Sequence, residues 1–408
     1  MTRSPERRIP AEVDFDHLDP AVAEDVYARL GVIRRLCPVA KSSAHGGFHL
    51  LTGYDEIREA AGHGEIFSSY VHGLGAADVV AEEAGSDGNP PPRAPLFEFD
   101  GQAHMAWRRI LRPYFTPTAA KEHESLIRRL CRETLTGFAK QGRADLVTAY
   151  TQVVPPLVVA ALLGVPESGR ELLAEHAKRL VAAESREEAE KRGREYAKLL
   201  LGHIRERAGV PRDDMLSDVI HADLGAPVSE RQVLRFAALM VAAGQLTTTD
   251  AAATMALLLA ENPDLRDRAR DSPKVLEEFI EEAVRYEPAV AATGRAVTRP
   301  TTLGGVRLDA GDRVLLAWGS ANRDERHFSD GDVFRPERGR TRPAHLGWGA
   351  GAHRCLGRHL ARLELRVMLQ ELLAALPNLR LQADAQPRRT YGVIRGVREV
   401  AVEWETTS

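Results

Sequence analysis

Residues 345–362 read His345-Leu-Gly-Trp-Gly-Ala-Gly-Ala-His-Arg-Cys-Leu-Gly-Arg-His-Leu-Ala-Arg362. Glycine at every second position from Gly347 to Gly351 allows positive φ angles and lets the backbone lie against a flat group. The segment then reaches Cys355. Apolar side chains recur four, three and four residues apart after it, which predicts a helix with one buried face, at Leu356, Leu360, Leu363 and Val367. The polar positions of this helix are expected to face water, at Arg358, Arg362 and Glu364.

Cys355 lies at the start of the predicted helix. The unpaired N–H groups and the positive end of the helix dipole there favour a thiolate over a thiol. Hydrogen bonds to the sulfur would moderate its donation of electrons to a metal. A thiolate beside glycine-lined space is typical of a protein ligand to haem iron.

Three other interpretations of this segment are weaker. A single cysteine is most often a small buried hydrophobic residue, a reading that leaves the glycines around it unexplained. A dinucleotide-binding loop would need its third glycine at Ala352 or Arg354, and the residues before the loop do not read as a strand. A zinc site would need clustered ligands, but the three cysteines are far apart and form no C-x-x-C pair, at Cys37, Cys131 and Cys355.

The segment resembles the haem-binding loop of the cytochrome P450 superfamily, in which an aromatic residue and a Gly-x-Gly-x-His-x-Cys-x-Gly pattern precede the last long helix. Here the pattern reads Trp348-Gly-Ala-Gly-Ala-His-Arg-Cys355-Leu-Gly357. The family usually has Phe at the position of Trp348; both rings can shield a thiolate, but indole adds an N–H that needs a partner. The resemblance implies haem b as the cofactor, Cys355 as its iron ligand, and Gly349 and Trp348 beside it.

The resemblance covers nearly the whole chain and implies a mainly α fold with a minor β region. Haem would lie between the long oxygen-binding helix and the helix after the cysteine loop. The chain has 408 residues, 44% of them apolar and 28% charged, which is enough for a large buried core. We expect a single cytochrome P450 domain over residues 1–408. Its β-rich part is expected at about 40–70, 288–320 and 380–408, and its helical body at about 100–285 and 355–376.

Charge and hydropathy argue against several classes of partner. A net charge of −3 without a dense basic run gives no reason to expect nucleic acid binding. The first ten residues lack an apolar stretch that could serve as a signal peptide, and the uncharged apolar segment 236–249 is too short to span a bilayer. Widely separated cysteines suit a reducing compartment. We therefore expect a soluble, cytoplasmic monomer that binds neither nucleic acid nor membrane.

Local patterns predict several further elements. Residues 71–99, rich in Gly, Pro, Ala and acidic residues, read as a long loop, which is typical of a lid, a binding loop or a disordered segment. Asp309-Ala-Gly-Asp312 between two apolar runs predicts a hairpin of strands 306–308 and 313–317. The other predicted elements are helices at 18–35 and 104–114, a strand at 48–52 followed by a helix capped by Asp55, and a final strand at 400–404.

Glu282 and Arg285 lie three residues apart on one predicted helix face. Taken alone, such a pair is usually exposed and contributes about 0.2–0.5 kcal/mol. The family has an E-x-x-R pair that receives a second arginine from a segment before the cysteine loop, and Arg338 occupies that place. The resemblance therefore implies an ion network of Glu282, Arg285 and Arg338 that holds the coil on the cysteine side of the haem.

A haem carries two propionates that need cationic or donor partners. His104 and Arg108 match the family's H-x-x-x-R pattern and share one helix face, four residues apart. Arg295 and His353 match two further propionate contacts of the family. By resemblance, these four residues bind the cofactor.

Residues 234–261 form the longest apolar helical pattern, with Ala242-Ala-Gly-Gln-Leu-Thr-Thr-Thr-Asp250 at its middle. Glycine followed by three threonines predicts hydroxyl back-bonding and a π-bulge or widened turn. The segment resembles the family's oxygen-activating motif, with Gly244 and Thr247 in the catalytic positions, but Leu246 replaces the usual acid. Asp250 lies four residues further on the same face, and we hypothesise that it supplies the missing proton route.

The resemblance implies a haem-thiolate monooxygenase that inserts one oxygen atom from O2 into a small, largely apolar substrate of specialised metabolism. With no reductase domain expected, electrons would come from a ferredoxin and its NAD(P)H-dependent reductase, docked on a basic patch near the cysteine. The alternatives are coupling, desaturation or peroxide-driven oxidation, or a non-catalytic haem sensor. The expected substrate-pocket residues are Ala243, Leu246, Ala289, Val290, Ala292 and Val393.

Overall fold

The computed structural model describes residues 9–71, 74, 93–181, 185–338 and 344–406. These residues are mainly helical and include three small sheets, which confirms the expected mainly α fold with a minor β region. Most of the predicted loop at 71–99 lies outside the described residues. No helix in the described part of the chain has both the length and the apolar character that a bilayer crossing requires.

The described residues contain α-helices α1 to α14, joined by short 3-10 turns and one π-helical turn at Val147–Thr151. The α-helices are α1 Val26–Leu36, α2 Tyr54–Gly62, α3 Gly101–Leu111, α4 Pro117–Glu122, α5 Glu124–Thr136, α6 Val154–Leu162, α7 Glu167–Val181, α8 Arg186–Gly209, α9 Met215–Ile220, α10 Glu230–Glu261, α11 Pro263–Asp271, α12 Pro273–Tyr286, α13 Trp318–Ala321 and α14 Arg358–Ala375.

The strands form sheets of six, three and two strands. They are β1 Glu12–Val13, β2 Val39–Ser42, β3 Phe48–Leu51, β4 Phe67–Ser68, β5 Arg143–Asp145, β6 Ala292–Val297, β7 Thr301–Leu303, β8 Val306–Leu308, β9 Arg313–Ala317, β10 Arg380–Leu381 and β11 Ala401–Glu403. The six-stranded sheet has the order β1-β2-β3-β9-β6-β4, with parallel β1–β2 and β3–β9 pairs and antiparallel neighbours elsewhere. The three-stranded sheet has the antiparallel order β10-β11-β5.

The hairpin predicted from β8 to β9 is wrong. β8 pairs with β7, whereas β9 lies in the six-stranded sheet between β3 and β6. The turn that forms a hairpin is Gly304-Gly305, whose φ angles of 56° and 82° suit a two-residue connection between antiparallel strands. Asp309-Ala-Gly-Asp312 instead connects the two sheets.

Predictions near the N-terminus were right about element type and wrong about boundaries. The strand expected at 48–52 is confirmed as β3. The helix expected at 18–35 is divided into a 3-10 turn at Pro20–Val22 and α1. Asp55 does not cap the next helix, because α2 begins at Tyr54 and places Asp55 in its first turn.

Alternate residues of the central strands pack on opposite faces of the six-stranded sheet. In β9, Val314 and Leu316 belong to the core that includes α2, whereas Leu315 and Ala317 belong to the core that includes α1. Because both faces are covered, the strand reads as a continuous apolar run. A third and larger core joins the helical body around α10, α12 and α14.

The longest helix, α10, lies at the centre of the helical body. Ser229 and Gln232 form a capping box at its start, in which each side chain accepts the other residue's backbone N–H. The helix contacts α6, α8 and α14. It is α-helical from Glu230 to Glu261, so the predicted π-bulge or widened turn is wrong for this helix.

The helix after the cysteine loop, α14, is confirmed, but one of its expected exposed positions is wrong. Glu364 is only 3% exposed, and its Oε1 has no hydrogen-bond partner among the described residues. It lies near two other buried polar groups, the thiol of Cys131 and the hydroxyl of Tyr150. Burial raises the pKa of Glu364 to about 8.

This buried acid makes stability depend on pH. Because the folded-state pKa of Glu364 is raised, the folded protein keeps a proton that the unfolded chain releases above about pH 4.5, so stability falls as the pH rises toward 8. Glu364→Gln should remove this slope. Its free energy of unfolding relative to that of the wild type should therefore rise by roughly 3 kcal/mol from pH 5.5 to pH 8.5, at about 1.4 kcal/mol per pKa unit. Urea unfolding at several pH values measures the slope. Glu399→Gln, at an exposed position, is the control, and parallel curves for Glu364→Gln and the wild type would contradict the expectation.

Candidate active site

The cysteine loop, residues 346–357, is held by its own backbone and by α2. The N–H of Cys355 donates to the carbonyl of Trp348 at 2.8 Å, and the N–H of Gly349 donates to the carbonyl of Leu346 at 2.8 Å. Gly351 has a φ of 65°, and a Cβ there would collide with the carbonyl of Ala61 in α2. The loop is therefore a fixed frame around the Cys355 sulfur.

The helix end alone does not favour a thiolate at Cys355, in contrast to the prediction. α14 begins at Arg358 with Gly357 as its N-cap, so Cys355 lies before the first helical turn. Desolvation raises the pKa of the Cys355 thiol, and this outweighs the lowering by the N–H of Gly357 and by the guanidinium groups of Arg358 and Arg108. Coordination to a metal cation is what would deprotonate this sulfur.

Three of the predicted cofactor ligands lie together at this loop, and one of them, His353, is part of it. The rings of His104 and His353 stack with centroids 4.0 Å apart. His353 Nε2 contacts Asp100 Oδ1 at 3.1 Å and Ser69 Oγ at 3.0 Å. Arg295 is close enough for the charges of Asp100 and His353 to act on it. The sequence alone did not point to Asp100, although an Asp directly before a helix start is a recognisable cap residue.

The hydrogen-bonding capacity of this cluster is not used up within the protein. His104 is 1% exposed, yet its Nδ1 has no hydrogen-bond partner in the described part of the chain. Arg295 is 8% exposed, forms no ion pair with any described residue, and donates to the carbonyl of its neighbour Gly294 at 2.6 Å. Burial lowers the pKa of Arg295 to about 10. Buried charges are normally paired, so these donors fit the carboxylates of a haem.

Arg108 is also beside the loop but has a second role. Its Nη1 donates to the carbonyls of Ala352 at 2.7 Å and Arg354 at 3.0 Å. These contacts tie α3 to the residues immediately before Cys355. Arg108 therefore fixes the cysteine loop, whichever group its remaining donors bind.

Glu282, Arg285 and Arg338 form a buried ion network. Arg285 donates from Nε and Nη2 to the two carboxylate oxygens of Glu282, both at 2.8 Å, and Arg338 Nε lies 3.4 Å from Glu282 Oε1. Glu282 is 5% exposed and Arg285 is 1% exposed, which excludes a surface pair. The two arginines also donate to five backbone carbonyls of the coil before the cysteine loop, those of Ser329, Asp330, Gly331, Val333 and Asn322.

A second acidic residue of α12, Glu281, contacts residues on both sides of the cysteine loop and was missed from the sequence. Its carboxylate accepts from Arg362 Nε at 2.5 Å and Nη2 at 3.0 Å, and it lies 3.3 Å from His345 Nε2. The Arg362 guanidinium lies over the Trp348 ring, 4.8 Å from its centroid. The Trp348 Nε1, which was expected to need a partner, has none among the described residues.

The middle of α10 presents small and apolar groups. A Cβ at Gly244 would lie 2.5 Å from Val159 Cγ2, so only glycine allows this approach of α10 to α6. The predicted back-bond is present, since the Thr247 hydroxyl donates to the carbonyl of Ala243 at 2.7 Å. Ala243, Gly244, Leu246 and Thr247 are all half-buried, whereas the neighbouring Gln245 is buried.

Asp250 lies one turn further along α10 and packs against the backbone of Gly396. Burial raises the pKa of Asp250 to about 7, and burial is the only cause of that shift. The carboxyl group therefore exchanges its proton near neutral pH, as a proton donor must. Gly396 belongs to the same C-terminal segment as Val393, a predicted pocket residue.

The other predicted pocket residues lie where the segment after α12 meets the C-terminal segment. Ala289 accepts a hydrogen bond from the N–H of Arg395 at 2.8 Å, and Val290 forms a β-bridge with Ile394. Ala289 and Val290 are half-buried, and Val393 is 7% exposed. Ala292 does not fit the prediction, because it is fully buried in β6 within the core that includes α1.

Comparisons with known proteins agree with these observations. Residues 271–391, which span the Glu282 network and the cysteine loop, match the family described as Cytochrome P450. The chain is 33% identical over 328 residues to the cyclomarin C epoxidase CymV of Salinispora arenicola, and the aligned region covers 78% of this chain and 81% of that protein. It is 31% identical over 389 residues to the mycinamicin IV hydroxylase/epoxidase of Micromonospora griseorubida, and the aligned region covers 92% of this chain and 95% of that protein.

The fold agrees equally well with solved structures. The crystal structure of CYP108D1 from Novosphingobium aromaticivorans superposes with a TM-score of 0.85 at 27% identity, covering 96% of this chain and 97% of that one. This chain therefore belongs to the cytochrome P450 family, and it is a monooxygenase that binds haem b, O2 and an organic substrate and takes its electrons from a redox partner.

Proposed function

We propose that Cys355 is the protein ligand of the haem iron, flanked by Gly349 and Trp348, and that His104, Arg295 and His353 bind the haem propionates. The observation that supports this most is the buried donor cluster, in which His104 Nδ1 and Arg295 lack acidic partners among the described residues. Arg108 is assigned both to a propionate and to the cysteine loop. When bound, the haem supplies the activation of O2 and the cleavage of its O–O bond.

The chain's own residues then orient the substrate and deliver protons. The half-buried side chains of Leu246, Ala289 and Val290, together with Val393, offer an apolar surface, which favours an apolar substrate. Two relatives are named as an epoxidase and a hydroxylase/epoxidase, so we propose hydroxylation or epoxidation of a small molecule in specialised metabolism. A cytoplasmic location stays a prediction, supported by three free cysteines.

Turnover in 18O2 tests this function. Ferric protein is first titrated with a compound library to find a ligand that shifts the haem spectrum, and that ligand is then incubated with NAD(P)H and redox partners under 18O2. A monooxygenase should yield a product with one 18O atom per molecule. A product that has lost two hydrogens without gaining label would show desaturation or coupling instead, and oxidation that peroxide alone drives to the same rate would remove the need for a redox partner.

We propose that Asp250 takes part in proton delivery through Thr247, in place of the acid that Leu246 replaces. Because the pKa of Asp250 is about 7, its carboxyl holds a transferable proton below that pH and loses it above. Asp250→Asn should lower the product formed per NAD(P)H at least severalfold and should abolish the decline in coupling above pH 7. Adding Leu246→Asp should restore part of the coupling.

The control for this prediction is Glu261→Gln, which neutralises another carboxyl on the same helix. It should leave coupling unchanged. Haem content is measured in every variant, so that a loss of cofactor is distinguished from a loss of proton delivery. Wild-type coupling and pH dependence in Asp250→Asn would exclude the relay.

We further propose that the redox partner is an acidic ferredoxin, reduced by an NAD(P)H-dependent reductase, that docks on the thiolate side. Five positive charges lie close enough to lower one another's pKa or that of a neighbouring group, those of Arg108, Arg112, Arg354, Arg358 and Arg362. A groove of about 740 Å³ lies beside them, and Arg354, His359 and Arg362 line it. Such a field attracts an acidic protein and accelerates association.

Charge reversal tests the docking face. Arg109 and Arg112 are exposed and lie on α3 and the turn after it, so Arg109→Glu with Arg112→Glu should slow reduction by the ferredoxin about tenfold or more at low salt. Arg143→Glu with Arg388→Glu, two exposed positions outside the cluster, is the matched control. Stopped-flow reduction at several ionic strengths measures the effect. Equal rates and equal salt dependence in the two double variants would place docking elsewhere.

A further inference from the structure

Asp16, His17 and His45 bring three metal-ligating side chains together outside the haem site. One ligand atom from each of these residues lies within 4.8 Å of the other two. His45 Nε2 lies 2.6 Å from Asp16 Oδ1, and the rings of His17 and His45 meet edge to face with centroids 5.1 Å apart. These residues belong to the segment between β1 and the first 3-10 turn and to the turn between β2 and β3.

His17 supplies the observation that points to a ligand. It is 1% exposed, and its Nδ1 has no hydrogen-bond partner among the described residues. A buried polar atom normally finds a partner, so the unpartnered Nδ1 of a histidine that belongs to this cluster needs an explanation.

The backbone on both sides of the cluster is fixed without any metal. Ser42 Oγ donates to the carbonyl of Phe15 at 2.8 Å and accepts the N–H of Ala44 at 3.1 Å, which ties the two segments together. Phe48 packs edge to face against His17. Arg313 donates to the carbonyls of His45 and Gly47 and so holds the turn that presents the His45 ring.

We propose that Asp16, His17 and His45 form a binding site for a borderline divalent cation of the Zn²⁺ class, with water as the fourth ligand. Two imidazoles and one carboxylate are a common ligand set for Zn²⁺ and leave one position open. The three ligand atoms lie within 4.8 Å of one another, compared with about 3.3 Å between neighbouring ligand atoms in a tetrahedral Zn²⁺ site. The bound ion would link the segment after β1 to the turn between β2 and β3.

The nearby Arg313 guanidinium weakens the binding of a cation at this site. Its positive charge is close enough to act on the pKa of His17, and it acts in the same way against a bound cation. The Asp16 carboxylate offsets this charge, and its existing contact with His45 must open for the metal to enter. We therefore expect a site that fills at micromolar Zn²⁺ and contributes to stability, without any part in the haem chemistry.

Zn²⁺ binding by the haem-loaded protein tests this inference. The protein is stripped with a chelator, exchanged into metal-free buffer and titrated with Zn²⁺ by calorimetry, and the bound metal is counted after gel filtration. His45→Gln and Asp16→Asn change partly exposed residues and should fold normally; each should weaken the strongest Zn²⁺ site at least tenfold. His63→Gln, an exposed histidine 3.0 Å from Glu65, is the matched control and should bind as the wild type does.

Thermal unfolding provides the second measurement. Zn²⁺ should raise the midpoint of the wild type and of His63→Gln by a few degrees and should leave His45→Gln unchanged, because only a site present in the folded state adds stability. Equal Zn²⁺ affinity in the wild type, His45→Gln and Asp16→Asn would show that binding occurs elsewhere on the surface. The absence of any site filled at micromolar Zn²⁺ in the wild type would overturn the inference outright.

Discussion

Glu282→Ala is expected to give protein that cannot retain haem. The Glu282 carboxylate accepts two hydrogen bonds from Arg285 and one from the N–H of Arg335, and it lies 3.4 Å from Arg338 Nε. Glu282 itself is only 5% exposed. Removing one member of such a network leaves buried guanidinium groups without their counter-charge, which typically costs about 3–5 kcal/mol. A loss of this size is a large fraction of a typical total stability of about 5–15 kcal/mol.

The same arginines hold the coil that leads to the cysteine loop, so the damage should reach the cofactor. Arg285 and Arg338 donate to carbonyls between Asn322 and Val333, and the N–H of Leu346 in turn donates to Asn322 Oδ1 at 2.6 Å. The loop around Cys355 therefore depends on this coil for its position. We expect Glu282→Gln, which keeps the acceptor oxygen, to retain part of the haem.

Glu278→Ala is the matched control, because it removes the same side chain one turn earlier in α12. Glu278 is partly exposed, and its nearest cation, Lys274 Nζ, is 3.8 Å away. Haem content and urea unfolding are measured for each variant. Glu282→Ala with full haem content and the unfolding midpoint of Glu278→Ala would show that the network does not support the site.

The sequence predicted the parts of the site that short patterns define. The cysteine loop, the helix after it and the long helix α10 each follow from local spacing or from a family motif, and all three are present. The E-x-x-R pair was placed on one helix face from its spacing of three residues, and Arg338, which the resemblance implied as the third member, lies 3.4 Å from Glu282. Such features are readable because their residues are close in sequence or belong to a recognised motif.

Pairing between distant segments was not predictable in the same way. The β8–β9 hairpin was inferred from Asp309-Ala-Gly-Asp312, although Gly304-Gly305 is an equally good turn signal five residues earlier. Which of the two turns forms a hairpin depends on the pairing of β9 with β3 and β6 in the six-stranded sheet, and part of this pairing is between segments far apart in sequence. The short β5, which pairs with β11 more than 250 residues away, carries no local β signal at all.

Polar contacts across the tertiary structure were also missed. Asp100, which precedes α3, contacts His353, and Glu281 of α12 accepts from Arg362 of α14. No spacing rule connects these residues. Glu364 was expected to face water together with Arg358 and Arg362, because all three lie outside the apolar positions of the helix, yet the packing of α5 against α14 buries it. The burial of a charged residue depends on what covers it, which periodicity does not reveal.

Replacing Cys355 should have the largest effect on chemistry. The other two cysteines are poor candidates for an iron ligand. Cys37 is 7% exposed and lies 3.0 Å from the carbonyl of Val39, and Cys131 is fully buried in α5, where burial raises its pKa to about 12. Cys355 alone follows a glycine loop, and His353 of that loop stacks on the buried His104, whose Nδ1 has no partner among the described residues. Cys355→Ser should therefore abolish turnover, while Cys37→Ser and Cys131→Ser should remain active.

The carbon monoxide spectrum of the reduced protein tests the haem-thiolate assignment most directly. Thiolate ligation shifts the Soret band of the carbon monoxide complex strongly to the red, and an imidazole ligand does not. We expect the red-shifted band in the wild type, Cys37→Ser and Cys131→Ser, and its replacement by an ordinary Soret band in Cys355→His. A red-shifted band that persists in Cys355→Ser, or one that disappears in haem-replete Cys37→Ser or Cys131→Ser, would contradict the assignment.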